Sequence, residues 1–155
     1  MKLETKTGAF WIGSGTVTTV AFLLLCLGGI VYLLWRPDSL LMFRWAEQLG
    51  CLDGIDAARD RASGVFRIGW TLHSLPHGTW TFSGTSLMGL VWRTSPSWSA
   101  GFWIALIPAF SIFGEFGQFA GFVPGCFDVL DLFTAVASSI LAVVFVYARR
   151  SPCFQ

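Results

Sequence analysis

The stretch Val17–Leu34 carries no charged residue, and its length is about what a helix needs to cross ~30 Å of hydrocarbon. Hydrocarbon offers no partner to a backbone N–H or C=O, so a segment immersed in it must satisfy these groups internally, as a helix does. Trp11 and Trp35 stand near the two ends of this run, where indole rings favour the membrane interface. Any fold for this chain has to accommodate that segment first.

The rest of the chain repeats the pattern less strongly. Overall 54% of residues are hydrophobic and 12% charged, with mean hydropathy +0.65. A soluble domain carries about a quarter charged residues, so this composition belongs to a multi-pass membrane protein whose first partner is the lipid bilayer. The net charge is +1 and there is no run of Lys or Arg, which argues against a nucleic-acid partner. The first apolar run is too long for a secretory signal and has no small-residue cleavage site after it, so it reads as a retained anchor.

Four spans are expected, at about 10–35, 74–92, 98–118 and 128–148. The second starts near Ser74 because Pro76 is tolerated only in a first helical turn. Pro108 is expected to kink the third. Residues Ser39–Leu49 alternate apolar and polar side chains as a helix lying on the membrane surface does. Gly50–Arg67 mixes three Asp with three Arg and reads as a solvated segment whose charge pairs contribute little. The expected fold is therefore all-α: one integral membrane domain over 1–155, a four-transmembrane-helix bundle with a short interfacial helix in the first outer loop.

Basic residues alone do not orient it. Lys2, Lys6, Arg93, Arg149 and Arg150 fall on one side; Arg36, Arg44, Arg59, Arg61 and Arg67 fall on the other, among four Asp and one Glu. The short flanks that weigh most are basic with no acid nearby at the turn around Arg93 and at the C-terminal tail. Both termini are therefore expected in the cytoplasm.

Polar residues then collect at the outer end. Gly114–Asp131 holds Glu115, Gln118, Asp128 and Asp131, with Glu115 and Gln118 three apart and the two aspartates repeating that spacing beyond Pro124-Gly125. Carboxylates at the ends of apolar helices cost several kcal/mol if dehydrated and unpaired, so something must satisfy them. Asp128 also suits a plain N-cap. On the second span His77, Thr81 and Gly84 or Thr85 recur at three-to-four spacing, a stripe that faces protein or water rather than lipid. His73 stands one turn before His77.

This constellation suits acid–base work, a divalent cation, or a polar network that docks helices. No spacing selects among them, and no HExxH, GxSxG, P-loop or GxGxxG pattern is present. Of the cysteines, Cys51 and Cys126 fall on the same outer side, where a disulfide between them can form; none has zinc-site or CxxC spacing, and Cys26 and Cys153 read as plain thiols.

The pattern ExxQ, then PGxxDxxD entering the last helix, is carried here by Glu115, Gln118, Pro124, Gly125, Asp128 and Asp131. It resembles the VanZ-like membrane proteins of bacteria, as does a His early in the preceding helices, matched by His77. The likeness covers Ser74 to Ala148; Cys126 and Ala135 stand where that family commonly has Arg and Asn. It implies a multi-pass protein of the bacterial cytoplasmic membrane, some of whose relatives are linked to glycopeptide-antibiotic resistance. On that basis the expected role is an outward-facing polar pocket for an envelope lipid or cell-wall precursor. Glu115 and Asp128 would bring charge, Gln118 hydrogen bonds, and His77 a proton or ligand role. Two rivals are a subunit held by membrane protein partners and a membrane hydrolase or transferase using His77 with Glu115.

Overall fold

The computed structural model describes residues 10–11, 13–36, 41–64, 69–95 and 97–150, without the side chains of 10, 11, 41, 69–73, 149 and 150. The N-terminal tail over 1–8, Arg67, Cys153 and the His73 side chain, each read above from sequence, lie outside this description.

The described chain forms six helices: α1 (Ser14–Trp35), α2 (Leu41–Gln48), α3 (Leu52–Ala62), α4 (Gly69–Trp92), α5 (Trp98–Phe119) and α6 (Val129–Tyr147). A two-residue antiparallel pairing, β1 (Phe10–Trp11) with β2 (Arg149–Arg150), ties the start of α1 to the end of α6. Three helices are long and apolar enough to cross a membrane: α1, α5 and α6, with mean hydropathy 2.4, 1.4 and 2.3. Their outward faces are apolar, with Phe22, Phe110, Phe113 and Leu141 well exposed, as lipid-facing surfaces are.

α4 has the length to span but not the apolarity, and it packs against all three apolar helices. Ser74, Thr79, Thr81, Ser83, Thr85 and Ser86 on it are all buried. Small side chains let the neighbouring backbones close in. Gly28 of α1 sits so near Thr79 and the Trp80 indole that a Cβ there would overlap both. Trp80 donates its ring N–H to Leu25 O at 3.4 Å and lies 5.1 Å from the Tyr32 ring. Gly78 abuts Thr134 and Ser138 of α6, and Gly89 abuts Val146.

These contacts give the directions. Gly78 meets Thr134 and Ser138, while Gly89 meets Val146 and receives a hydrogen bond from the Tyr147 hydroxyl at 3.4 Å. Numbers rise together, so α4 and α6 run parallel. Thr81 pairs with Ser111, and Gly84 with Ile107, so α5 runs antiparallel to α4. The β1–β2 pairing puts the start of α1 beside the end of α6, so α1 is antiparallel to α4 as well. The ends of α1 and α5 and the starts of α4 and α6 therefore share one end, here called distal, opposite the β1–β2 pairing.

One expectation needs correction. α4 begins at Gly69, five residues before Ser74, so Pro76 stands inside the helix and His73 is helical too. Proline leaves one carbonyl of the preceding turn without its amide donor, a cost that a helix enclosed by others tolerates. The mixed-charge stretch is solvated as expected, with no buried residue over Leu52–Ala62, and that part of it is helical, with Asp53 in its first turn and Arg59 and Arg61 in its last, the placement the helix dipole favours. Arg59 is part-buried and donates to Leu33 O at 2.8 Å and Arg36 O at 2.6 Å, closing carbonyls at the end of α1. Its guanidinium also lies 4.3 Å from the centre of the Phe43 ring, joining α2, α3 and α1.

Candidate functional site at the distal end

α5 ends in a Schellman turn. The Phe122 N–H donates to Gly117 O at 2.8 Å and the Gly121 N–H to Gln118 O at 3.1 Å. Gly121 has φ +75°, the left-handed conformation that glycine takes without a Cβ penalty. The chain then folds back onto α5. Gly125, at φ +139°, lies so close to Gln118 that a Cβ would come within 2.7 Å of Gln118 Nε2. Gln118 is thus half-buried beneath its own return loop.

That return sets the start of α6. Glu115 is 4% exposed, and its Oε2 accepts the Asp128 N–H at 3.3 Å. Asp128 in turn caps α6, Oδ1 accepting the Leu130 N–H at 2.8 Å. Asp131 sits in the first turn of α6, where the helix dipole favours an acid. Its Oδ1 is buried with no hydrogen-bond partner.

α4 supplies the facing polar groups. Thr81 Oγ1 hydrogen-bonds the His77 carbonyl and shares a 2.8 Å contact with Ser111 Oγ of α5. Stepping one turn outward from that pair brings His77 on α4 level with Glu115 on α5, because the two helices are antiparallel. Ser74, one turn further, is 1% exposed. The parallel register of α6 brings Asp131 to the level of Ser74. Both Ser74 Oγ and His77 Nε2 are buried without a partner. Three such atoms, from Ser74, His77 and Asp131, sit at the distal end beside a buried glutamate, and Ser83, Thr85 and Ser86 carry three more further along α4. Unpartnered buried polar atoms cost about 1–3 kcal/mol each and are rare in native folds.

The sequence candidates thus divide. Helix register assembles His77, Thr81, Glu115, Gln118, Asp128 and Asp131 at the distal end. No hydrogen bond or ion pair joins His77 to Glu115 among the described residues, and Asp128 is turned to capping. Among the described residues no group of three or more His, Cys, Asp or Glu side chains is arranged to hold a metal ion. The Cys51–Cys126 disulfide is not formed: both are exposed free thiols, and Cys26 is free too. Sequence reasoning passed over Ser74 and Ser111. The spacing of Ser74 to His77, three residues apart on one helix, was the available signal for the first; the pairing of Ser111 with Thr81 depends on helix register alone.

A groove of about 380 Å³ opens beside this site, between α1, α4 and α6 rather than between His77 and Glu115. Its walls include Leu24, Ser74, Gly78, Phe82, Phe133 and Leu141. Compared with known protein families, curated proteins and solved structures, the chain matches none.

Proposed function

We propose that the chain is a VanZ-like bacterial membrane protein whose distal end faces outward and binds the polar part of an envelope lipid or cell-wall precursor. α4 is taken as a fourth span, enclosed by the three apolar ones, with both termini in the cytoplasm. The observation that carries the reading is the set of buried polar atoms lacking partners on Ser74, His77 and Asp131, level with the buried Glu115. Groups of this kind are retained in membrane helices where they serve a ligand or a partner, since hydrocarbon penalises them otherwise. A binding role is favoured over hydrolysis because among the described residues no nucleophile–base pair is in hydrogen-bond contact at the site. The proposed ligand offers donors to Glu115 and Asp131 and an acceptor to the Ser74 hydroxyl.

The test is expression in a glycopeptide-sensitive bacterium, with antibiotic susceptibility measured alongside protein level. The wild type is expected to raise the inhibitory concentration, and His77→Ala and Glu115→Gln to abolish that rise while accumulating normally in the membrane. Variants that protect as well as the wild type, at equal protein level, overturn the proposal.

A further inference from the structure

We infer that the groove between α1, α4 and α6 seats one fatty acyl chain of a membrane phospholipid, with its ester end toward the distal end of the bundle. The inference rests on the reading above only in taking the distal end as the outer membrane interface. The groove's volume of about 380 Å³ lies within the range of sites that enclose small ligands. It is continuous with the lipid-facing surface: Leu75, Phe133 and Leu141 line it and are 37%, 67% and 59% exposed. In a bilayer such a recess fills with hydrocarbon, because water there finds almost no partners.

The distal end of the groove sets the direction of the chain, and its walls offer few polar atoms. Thr79 Oγ1 is already bonded to Pro76 O at 3.1 Å, and Thr134 Oγ1 to Asp131 O at 2.9 Å. Ser74 Oγ is buried and unpartnered. Ser74 stands at the distal end of the groove, while Phe82, Ser138 and Leu141 stand deeper, so a chain entering from the outer interface carries its ester end at the level of Ser74. From Ser74 to Phe82 the helix rises about 12 Å, enough to hold the first half of an acyl chain straight. Gly78 keeps the groove floor open: a Cβ there would come within 3.0 Å of Ser138 Oγ.

The experiment is native mass spectrometry of the full chain released from nanodiscs of palmitoyl-oleoyl phosphatidylcholine, and separately of palmitoyl-oleoyl phosphatidylglycerol. The wild type is expected to retain one phospholipid per chain in both. Ala137→Trp, which fills the groove, is expected to lose it; Val136→Trp, one residue away on a face outside the groove, is expected to keep it. Equal retention by the wild type and Ala137→Trp, or a wild-type dimer that Ala137→Trp dissolves, overturns the inference. Retention that is lost in Ala137→Trp upholds the groove whichever lipid is used, and leaves the envelope reading to the susceptibility assay. Should Ala137→Trp misfold, phosphatidylcholine with a photoreactive diazirine in its acyl chain decides. Adducts concentrated on 74–82 and 133–141 support the groove, and adducts spread evenly over Phe110, Phe113 and the other exposed residues refute it.

Discussion

The Glu115 carboxylate accepts the Asp128 N–H at 3.3 Å, so the buried acid of α5 holds the first residue of the turn that launches α6. The same Asp128 then caps α6 with its own side chain. A buried acid side chain at the end of one helix thereby fixes where the next begins. Glu115→Ala removes the acceptor and leaves a part-buried N–H without a partner, a loss of about 1–3 kcal/mol. Glu115→Gln keeps an acceptor oxygen and is expected to retain most of the stability. Thermal unfolding in a mild detergent checks this; equal melting of the alanine and glutamine variants would show that the contact carries no weight.

Asp128 separates capping from ligand binding. Asp128→Ala is expected to cost about 1 kcal/mol, the usual loss of an N-cap, and Asp128→Asn or Asp128→Ser very little. Should Asp128→Asn nonetheless abolish protection in the susceptibility assay at normal melting temperature, the carboxylate serves the ligand as well as the helix.

The helix α1 meets α4 through one glycine and not its neighbour. A Cβ at Gly28 would overlap Thr79 and the Trp80 ring, whereas a Cβ at Gly29 meets nothing within 4 Å. Overpacking of this kind costs about 1–3 kcal/mol. Gly28→Ala is expected to lower the unfolding midpoint and Gly29→Ala to leave it unchanged or slightly raised, since alanine favours helix. Denaturant titration of the two variants side by side reads the difference.

Much of this architecture was legible in the sequence, for reasons that differ by element. α1, α5 and α6 announce themselves because lipid-facing helices must be apolar around most of their circumference. α4 is harder to read. Its stripe through His77, Thr81 and Thr85 is visible, but Thr79, Ser83 and Ser86 are buried as well, so small polar side chains lie on more than one face among bulky ones such as Trp80 and Phe82. Such a helix is stable only when enclosed, and enclosure is a property of its neighbours. Its start at Gly69 was hidden by Pro76, since local rules place proline in a first turn. Arg59 illustrates the same gap. Its charges read as a solvated segment, while its partners Leu33 and Arg36 lie more than twenty residues away in the chain. The distal site was legible as a list of residues; which of them lack partners follows only from packing.

Arg59 gives a further prediction. It donates to two carbonyls at the end of α1 and stacks on Phe43, so it joins α1, α2 and α3. Arg59→Met preserves the stem but removes the donors, freeing α2 and α3 from α1. Chymotrypsin is expected to cut this variant around Phe43 and Trp45 markedly faster than the wild type, with Arg59→Lys between them because a lysine cannot supply the same fork of donors. Unchanged cleavage in Arg59→Met would mean that the apolar contacts of α3 alone hold the segment.

The shared distal end makes the cysteines reporters of topology. α1 and α5 run in the same direction, and Cys51 and Cys126 follow their distal ends, both exposed and free. Cys26 lies in the middle of α1, where the bilayer shields it from a reagent confined to water. In single-cysteine variants expressed in intact cells, a membrane-impermeant maleimide is expected to modify Cys51 and Cys126 to similar extents and Cys26 hardly at all. Modification of both distal thiols only after the membrane is permeabilised would reverse the orientation and place the polar cluster in the cytoplasm, away from any envelope ligand. Modification of one without the other would contradict the antiparallel path of α4 between α1 and α5, and with it the register that brings His77 level with Glu115.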